Sequence, residues 1–110
     1  MSLTWSDFTS LPEDVFDGLW NVLFLDLEHN KLEHLPGGIF KNMTKMMSIN
    51  LTHNSLTELN DGALFQQSLN LEEIDIDHNG LAVLSENLFR NLSKLRHLRL
   101  NNNELKFIHR

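Results

Sequence analysis

The sequence contains no cysteine. Disulfides, thiolate metal sites and thiol nucleophiles are therefore excluded. No apolar run approaches the ~18 residues that a membrane span requires. The opening stretch, Met1 to Ser10, has neither a basic start nor an apolar centre, so no secretory signal is read in it. Positive charge is scarce too. Nine Lys and Arg stand against fifteen Asp and Glu, a net charge of −6. Nucleic acids and anionic membranes both require clustered cations, so neither is expected as a partner. There is no Gly-flanked serine elbow, no phosphate-cradling glycine loop and no carboxylate pair in a recognisable cleft. The expectation is a protein without catalytic residues, metal or cofactor.

What the chain does have is aliphatic residues in register. At 110 residues and 41% hydrophobic composition, it is long enough for one packed domain and too apolar for disorder. The segments "LDLEHNKLEHL" from Leu25, "INLTHNSLTEL" from Ile49, "IDIDHNGLAVL" from Ile74 and "LRLNNNELKFI" from Leu98 share one pattern. Its letters are L-x-L-x-x-N-x-L-x-x-L. Its asparagines, Asn30, Asn54, Asn79 and Asn103, are spaced by 24, 25 and 24 residues. The second half of each unit repeats as "VFDGL", "IFKNM" and "LFRNL", with "LFQQSL" in the unit that is one residue longer. A partial unit over 1–21, full units over 22–45, 46–70 and 71–94, and a partial unit over 95–110 then make one block.

Physical reasons follow from the spacing. In each Leu-x-Leu the apolar residues alternate with polar ones, as in a short strand with one buried face. Asparagine follows where the chain turns, and a buried amide there needs partners. Each unit leaves apolar faces open, so stability comes from stacking on its neighbours. Met43 and Met46 occupy leucine positions and are expected in the core, with Met47 outside.

The pattern resembles the leucine-rich repeat family in its 24-residue, extracellular form. "LPGGIFKNMTKM" and "LSENLFRNLSKLRHLRLNNNELKFI" look like the ectodomain repeats of Toll-type receptors, insect members above all. The resemblance implies an α/β solenoid: a curved parallel sheet on the concave side, with loops or short helical turns on the convex side. It also implies that Asn30, Asn54, Asn79 and Asn103 form a ladder bonded to adjacent turns. Phe16, Phe40, Phe65 and Phe89 would stack as a convex spine. It further implies an extracellular or cell-surface recognition role, with a protein ligand or microbial product as partner. A structural or adhesive spacer and an intracellular scaffold are the alternatives. Unlike such ectodomains, this chain shows no cysteine-rich caps, and it opens and stops inside repeats. Self-association through the repeat ends is expected from that.

Candidate sites fall on the strands. The outward positions are Phe24, Asp26 and Glu28, then Ser48, Asn50 and Thr52, then Glu73, Asp75 and Asp77, and last His97, Arg99 and Asn101. Glu73–His97 and Asp75–Arg99 would be cross-strand neighbours, either a self-neutralising solvated surface or a partner footprint. Phe24, with Trp5 near the same edge, would anchor that footprint, since interfaces favour aromatics. His29, Glu33 and His34 read "HNKLEH", whose spacing departs from the zincin motifs and which falls on a strand-to-loop turn. His29, His53 and His78 share one repeat position and would be stacked neighbours, either a titratable stripe or filler beside the ladder. Three glycosylation sequons begin at Asn42, Asn50 and Asn91. Asn50 points from the middle strand, so a glycan there would obstruct the concave face.

Overall fold

The computed structural model describes residues 1–105. The final aliphatic position of the last unit, Ile108, lies outside the described residues. Alternating side chains give strands of two or three residues, because the chain turns after each. In order these are β1 (Phe24–Asp26), β2 (Ser48–Asn50), β3 (Glu58–Leu59), β4 (Glu73–Asp75), β5 (Val83–Leu84) and β6 (His97–Arg99). Strands β1, β2, β4 and β6 form one parallel sheet in that order, and β3 pairs with β5 in a second. Register is maintained throughout: Leu25 faces Ile49, Ile49 faces Ile74, and Ile74 faces Leu98. Ser2 bridges Asp26 in the same parallel sense, so the first partial unit continues the stack. Every repeat position thereby becomes a column.

Columns of aliphatic residues fill the interior. Leu27, Leu51 and Ile76 have no solvent-accessible surface, and neither do Leu32, Leu56 and Leu81. Each such side chain contributes about 1.5–3 kcal/mol by burial. Met43 and Met46 are buried with them, and Met47 is half-buried. The convex side is built from successive three-residue turns. For example, the N–H of Ile39 donates to Pro36 O, and those of Lys41 and Met43 to Gly38 O and Phe40 O. Phe16, Phe40, Phe65 and Phe89 stack there with centroids 6.2, 5.9 and 6.4 Å apart.

The asparagine amides satisfy the backbone where the sheet ends. Asn54 Nδ2 donates to Leu27 O at 3.0 Å in the preceding repeat and to Leu51 O at 3.1 Å in its own. Its Oδ1 accepts the Leu32 N–H at 3.1 Å. Asn30, Asn79 and Asn103 repeat the arrangement, donating back to Leu3 O, Leu51 O and Ile76 O. No buried side-chain polar atom among the described residues is left without a partner.

One alignment within the repeats needs correction. In "LFQQSL" the sequence pattern sets Leu69 beside Leu19, Met43 and Leu92. The structure instead buries Ser68, whose Oγ donates to Met43 O at 3.5 Å, and leaves Leu69 50% exposed. The extra residue of this unit lies earlier. Leu35 and Phe40 are five positions apart, whereas Leu59 and Phe65 are six. Both leucines and both phenylalanines occupy equivalent core columns, so the turn between Asn60 and Leu64 absorbs the difference. Stacking of Phe65 on Phe40 fixes that choice, and Leu69 is carried outward onto the flank.

Candidate recognition surface

The outward strand positions form three adjoining columns. Phe24 heads the first, 59% exposed, followed by Ser48, Glu73 and His97. Asp26, Asn50, Asp75 and Arg99 form the second. In three of its four members the side-chain oxygen accepts a backbone N–H two residues on. Asp26 takes Glu28, Asn50 takes Thr52 and Asp75 takes Asp77, at 3.0, 2.9 and 3.1 Å. Local bonds of this kind suit the chain's departure from the sheet.

Arg99 has no oxygen to offer at its place in that column. The deficit is met from the neighbouring repeat, where Asp77 Oδ1 accepts the Asn101 N–H and its Oδ2 accepts Arg99 Nε at 3.1 Å. Asp77, expected on the display surface, is consequently only 6% exposed. It is a structural carboxylate beneath Arg99. Thr52, also expected outside, is buried, with its hydroxyl donating to Asn50 Oδ1 at 2.7 Å.

Two carboxyls here shift in opposite directions. Burial pushes the Asp75 carboxyl above its ordinary value, and the Asp77 charge adds to this against the Asp77 N–H and Arg99. Burial also works against ionisation of Asp77. The Asn101 N–H and the Arg99 guanidinium outweigh it and hold that carboxyl below its ordinary value. Between Ser48, Asn50, Glu73, Asp75, His97 and Arg99 lies a shallow pocket of about 150 Å³. Its floor is strand backbone. It can seat a polar or cationic side chain.

His29, His53 and His78 do stack, with centroids 4.4 and 4.3 Å apart and planes within 8°. Trp5 extends the pile at 3.8 Å from His29, and the Asn102 amide lies against His78 Nε2 at 3.3 Å. All five residues have positive φ, between 54 and 57°. Histidine and asparagine are among the residues that tolerate this left-handed turn, which accounts for their recurrence. Parallel rings have parallel lone pairs, so adjacent imidazoles cannot converge on one ion. Glu33 and His34 are exposed beyond the turn, while His29 Nε2 lies 3.0 Å from Glu28 Oε1.

The three sequon asparagines differ in setting. Asn91 is exposed on a convex turn with φ of 68°. Asn42, in the matching position one side of the spine, donates to Asp17 Oδ1 at 3.1 Å. Asn50 is held on the sheet, its Nδ2 donating to Glu28 Oε2 at 3.1 Å.

A family model described as "Leucine rich repeat" matches residues 24–69 and 69–110. The chain belongs to the leucine-rich repeat family. Among solved structures, the Toll–Spatzle complex of Drosophila in its glycosylated form is 33% identical, with a TM-score of 0.83 over 86% of this chain and 13% of that one. The TLR13–ssRNA13 complex is 30% identical, with a TM-score of 0.90 over 97% of this chain and 15% of that one. The leucine-rich repeat domain of APL1B is 21% identical, with a TM-score of 0.88 over 92% of this chain and 29% of that one, a likeness in fold alone. The chain thus spans less than a third of each of these solved chains. Among curated proteins no sequence matches. The repeats resemble those of Toll-type receptors, and leucine-rich repeat domains are typically non-enzymatic interaction modules.

Proposed function

We propose that this block is a protein-recognition segment of an extracellular or cell-surface receptor of the Toll-like kind, acting in immune or developmental signalling. The concave sheet is its contact surface. The observation that carries this is Phe24. A phenylalanine 59% exposed on a strand has no part in the core; Asp26 and Glu28 follow it on the same strand, and Glu73 and Asp75 stand two strands on, beyond Ser48 and Asn50. A large aromatic beside a row of carboxylates suits a partner with an apolar residue among basic ones. The complex of Toll with Spatzle supports a protein as the ligand class. TLR13 is found with RNA, but the acidic sheet here is unsuited to phosphate.

Binding of the chain to Spatzle and to single-stranded RNA, compared by interferometry, tests the reading. Saturable binding of the protein that is lost in Phe24→Ala/Glu73→Ala is expected. Retention of RNA alone, or protein binding indifferent to those two substitutions, would overturn it.

A further inference from the structure

A second surface lies outside the concave sheet, on the flank where each unit rises into its strand. Four repeat columns make it. Trp20 and Leu69 stand in the first, Asn21, Lys45, Asn70 and Lys94 in the second, and Leu23, Met47, Glu72 and Arg96 in a third beside Phe24. The remaining column between them, with Met46 and Leu71, is buried. Leu23, Lys45, Met47, Asn70, Glu72 and Lys94 line a groove of about 260 Å³.

The groove's chemistry is unlike the rest of the chain. Its floor is apolar, from Leu23 and Met47, and Trp20 and Leu69 on the same flank are 56% and 50% exposed. Its rim is cationic in a protein of net charge −6. Lys45 Nζ donates to Asn21 Oδ1 at 3.2 Å, and Lys94 Nζ to Asn70 Oδ1 at 2.7 Å. Among the described residues neither lysine has a carboxylate in ion-pair range, whereas Lys31, Arg96 and Arg99 all do. The one carboxylate in the groove, Glu72, is neutralised by Arg96 at 3.1 Å. The amide of Asn70 also donates to Thr44 O at 3.1 Å, so its oxygen is fixed towards Lys94. Both ammonium groups are thus held at the groove with donors to spare.

We infer that this flank groove docks an acidic segment of a partner protein, with a large apolar side chain on Leu23 and Met47 and carboxylates on Lys45 and Lys94. The inference rests on the protein-recognition reading above but places contact on a different face. A nucleic acid fits less well: two lysines are too few for a phosphate backbone, and an apolar floor gives a phosphate nothing. Leu69 reaches this surface only because the extra residue in the third unit shifts Ser68 into the core.

The test uses the full chain and a fluorescein-labelled peptide of the pattern Glu-Glu-Leu-Glu-Glu, followed by fluorescence polarisation. Controls replace every Glu by Gln, replace Leu by Ala, or substitute a single-stranded oligonucleotide. Saturable binding is expected, weakened roughly 5- to 30-fold in Lys45→Glu/Lys94→Glu by the loss of two exposed ion pairs. The same loss is expected with the Gln peptide, and Phe24→Ala/Glu73→Ala should bind the acidic peptide unchanged. Both lysines are exposed, so circular dichroism of the variant should match the parent chain. No saturable binding at millimolar peptide, equal binding by the lysine variant, or capture of the oligonucleotide in place of the peptide would overturn the inference. Loss only in Phe24→Ala/Glu73→Ala would move the peptide to the concave sheet and overturn it while leaving the first reading intact.

Discussion

The Asp77 carboxylate accepts the backbone N–H of Asn101, 24 residues further along the chain. In the other repeats the equivalent N–H is served from within its own unit, by Asp26, Asn50 or Asp75. Substituting Asp77→Ala strands that donor and removes an Arg99 partner, and should cost about 1–3 kcal/mol in urea unfolding. The pH dependence has a definite sign. A carboxyl held low in the fold stabilises above its unfolded value and loses that contribution as pH falls through the folded one. The advantage of the parent chain over Asp77→Asn should therefore shrink below the ordinary aspartate range, near pH ~3.9.

Asp75 works in the opposite direction. Its folded carboxyl is raised, so ionisation disfavours the fold, and the disadvantage disappears as pH falls from above the folded value to below the unfolded one. Asp75→Asn should raise the neutral-pH unfolding free energy slightly, by no more than ~0.5 kcal/mol given the exposed Arg99 contact it gives up. Asn50, one strand away, already performs the same backbone bond with an amide.

The amide of Asn54 is bonded to three carbonyls and one N–H. Asn54→Ala should cost about 3 kcal/mol or more, because buried backbone groups of two repeats lose their partners together. Asn103→Ala should cost less, since its surroundings are half exposed. Urea melts of the two variants check the ordering.

His53 separates backbone preference from stacking. A β-branched residue is poorly accommodated at φ of 54°, so His53→Val should destabilise by about 1–2 kcal/mol. His53→Asn keeps a residue that tolerates the turn and should fall within ~0.5 kcal/mol of the parent chain. A large loss in His53→Asn would assign the stability to ring stacking instead.

Glycan mapping after expression in animal cells should find Asn91 accessible and Asn50 unmodified. Asn50 gives its amide to Glu28 and its oxygen to Thr52, in the middle of the sheet. Peptide mass spectrometry with and without glycosidase reads both positions.

Much of this was legible because the repeat turns sequence position into spatial column. Leu51 and Ile76 could be assigned to the interior from periodicity, Phe40 to a stacked spine from the family resemblance, and the stacking of His29, His53 and His78 followed from their shared register. Asp77 and Ser68 could not. Alternation places Asp77 outside, and only the arginine on the next strand, which lacks an acceptor, explains why the carboxylate turns down to the backbone. Likewise, "LFQQSL" offers a leucine in the expected place, and the position of the extra residue is decided by the phenyl stack rather than by any local letter. The β3–β5 pair was also invisible, because "TEL" and "AVL" carry no alternation long enough to mark a strand. The flank escaped for a related reason: its residues come from five units, and none forms a motif alone.

The rings on opposite sides of the solenoid keep different pitches. Imidazoles beside the sheet repeat every 4.3–4.4 Å, while phenyl rings on the far side repeat every 5.9–6.4 Å. Each unit is therefore a keystone, and a run of them is an arch whose radius is set by aromatic contacts that compress poorly. Anything grasping the inside of that arch must bring a matching bulge of its own, because the arch has no slack with which to close around it.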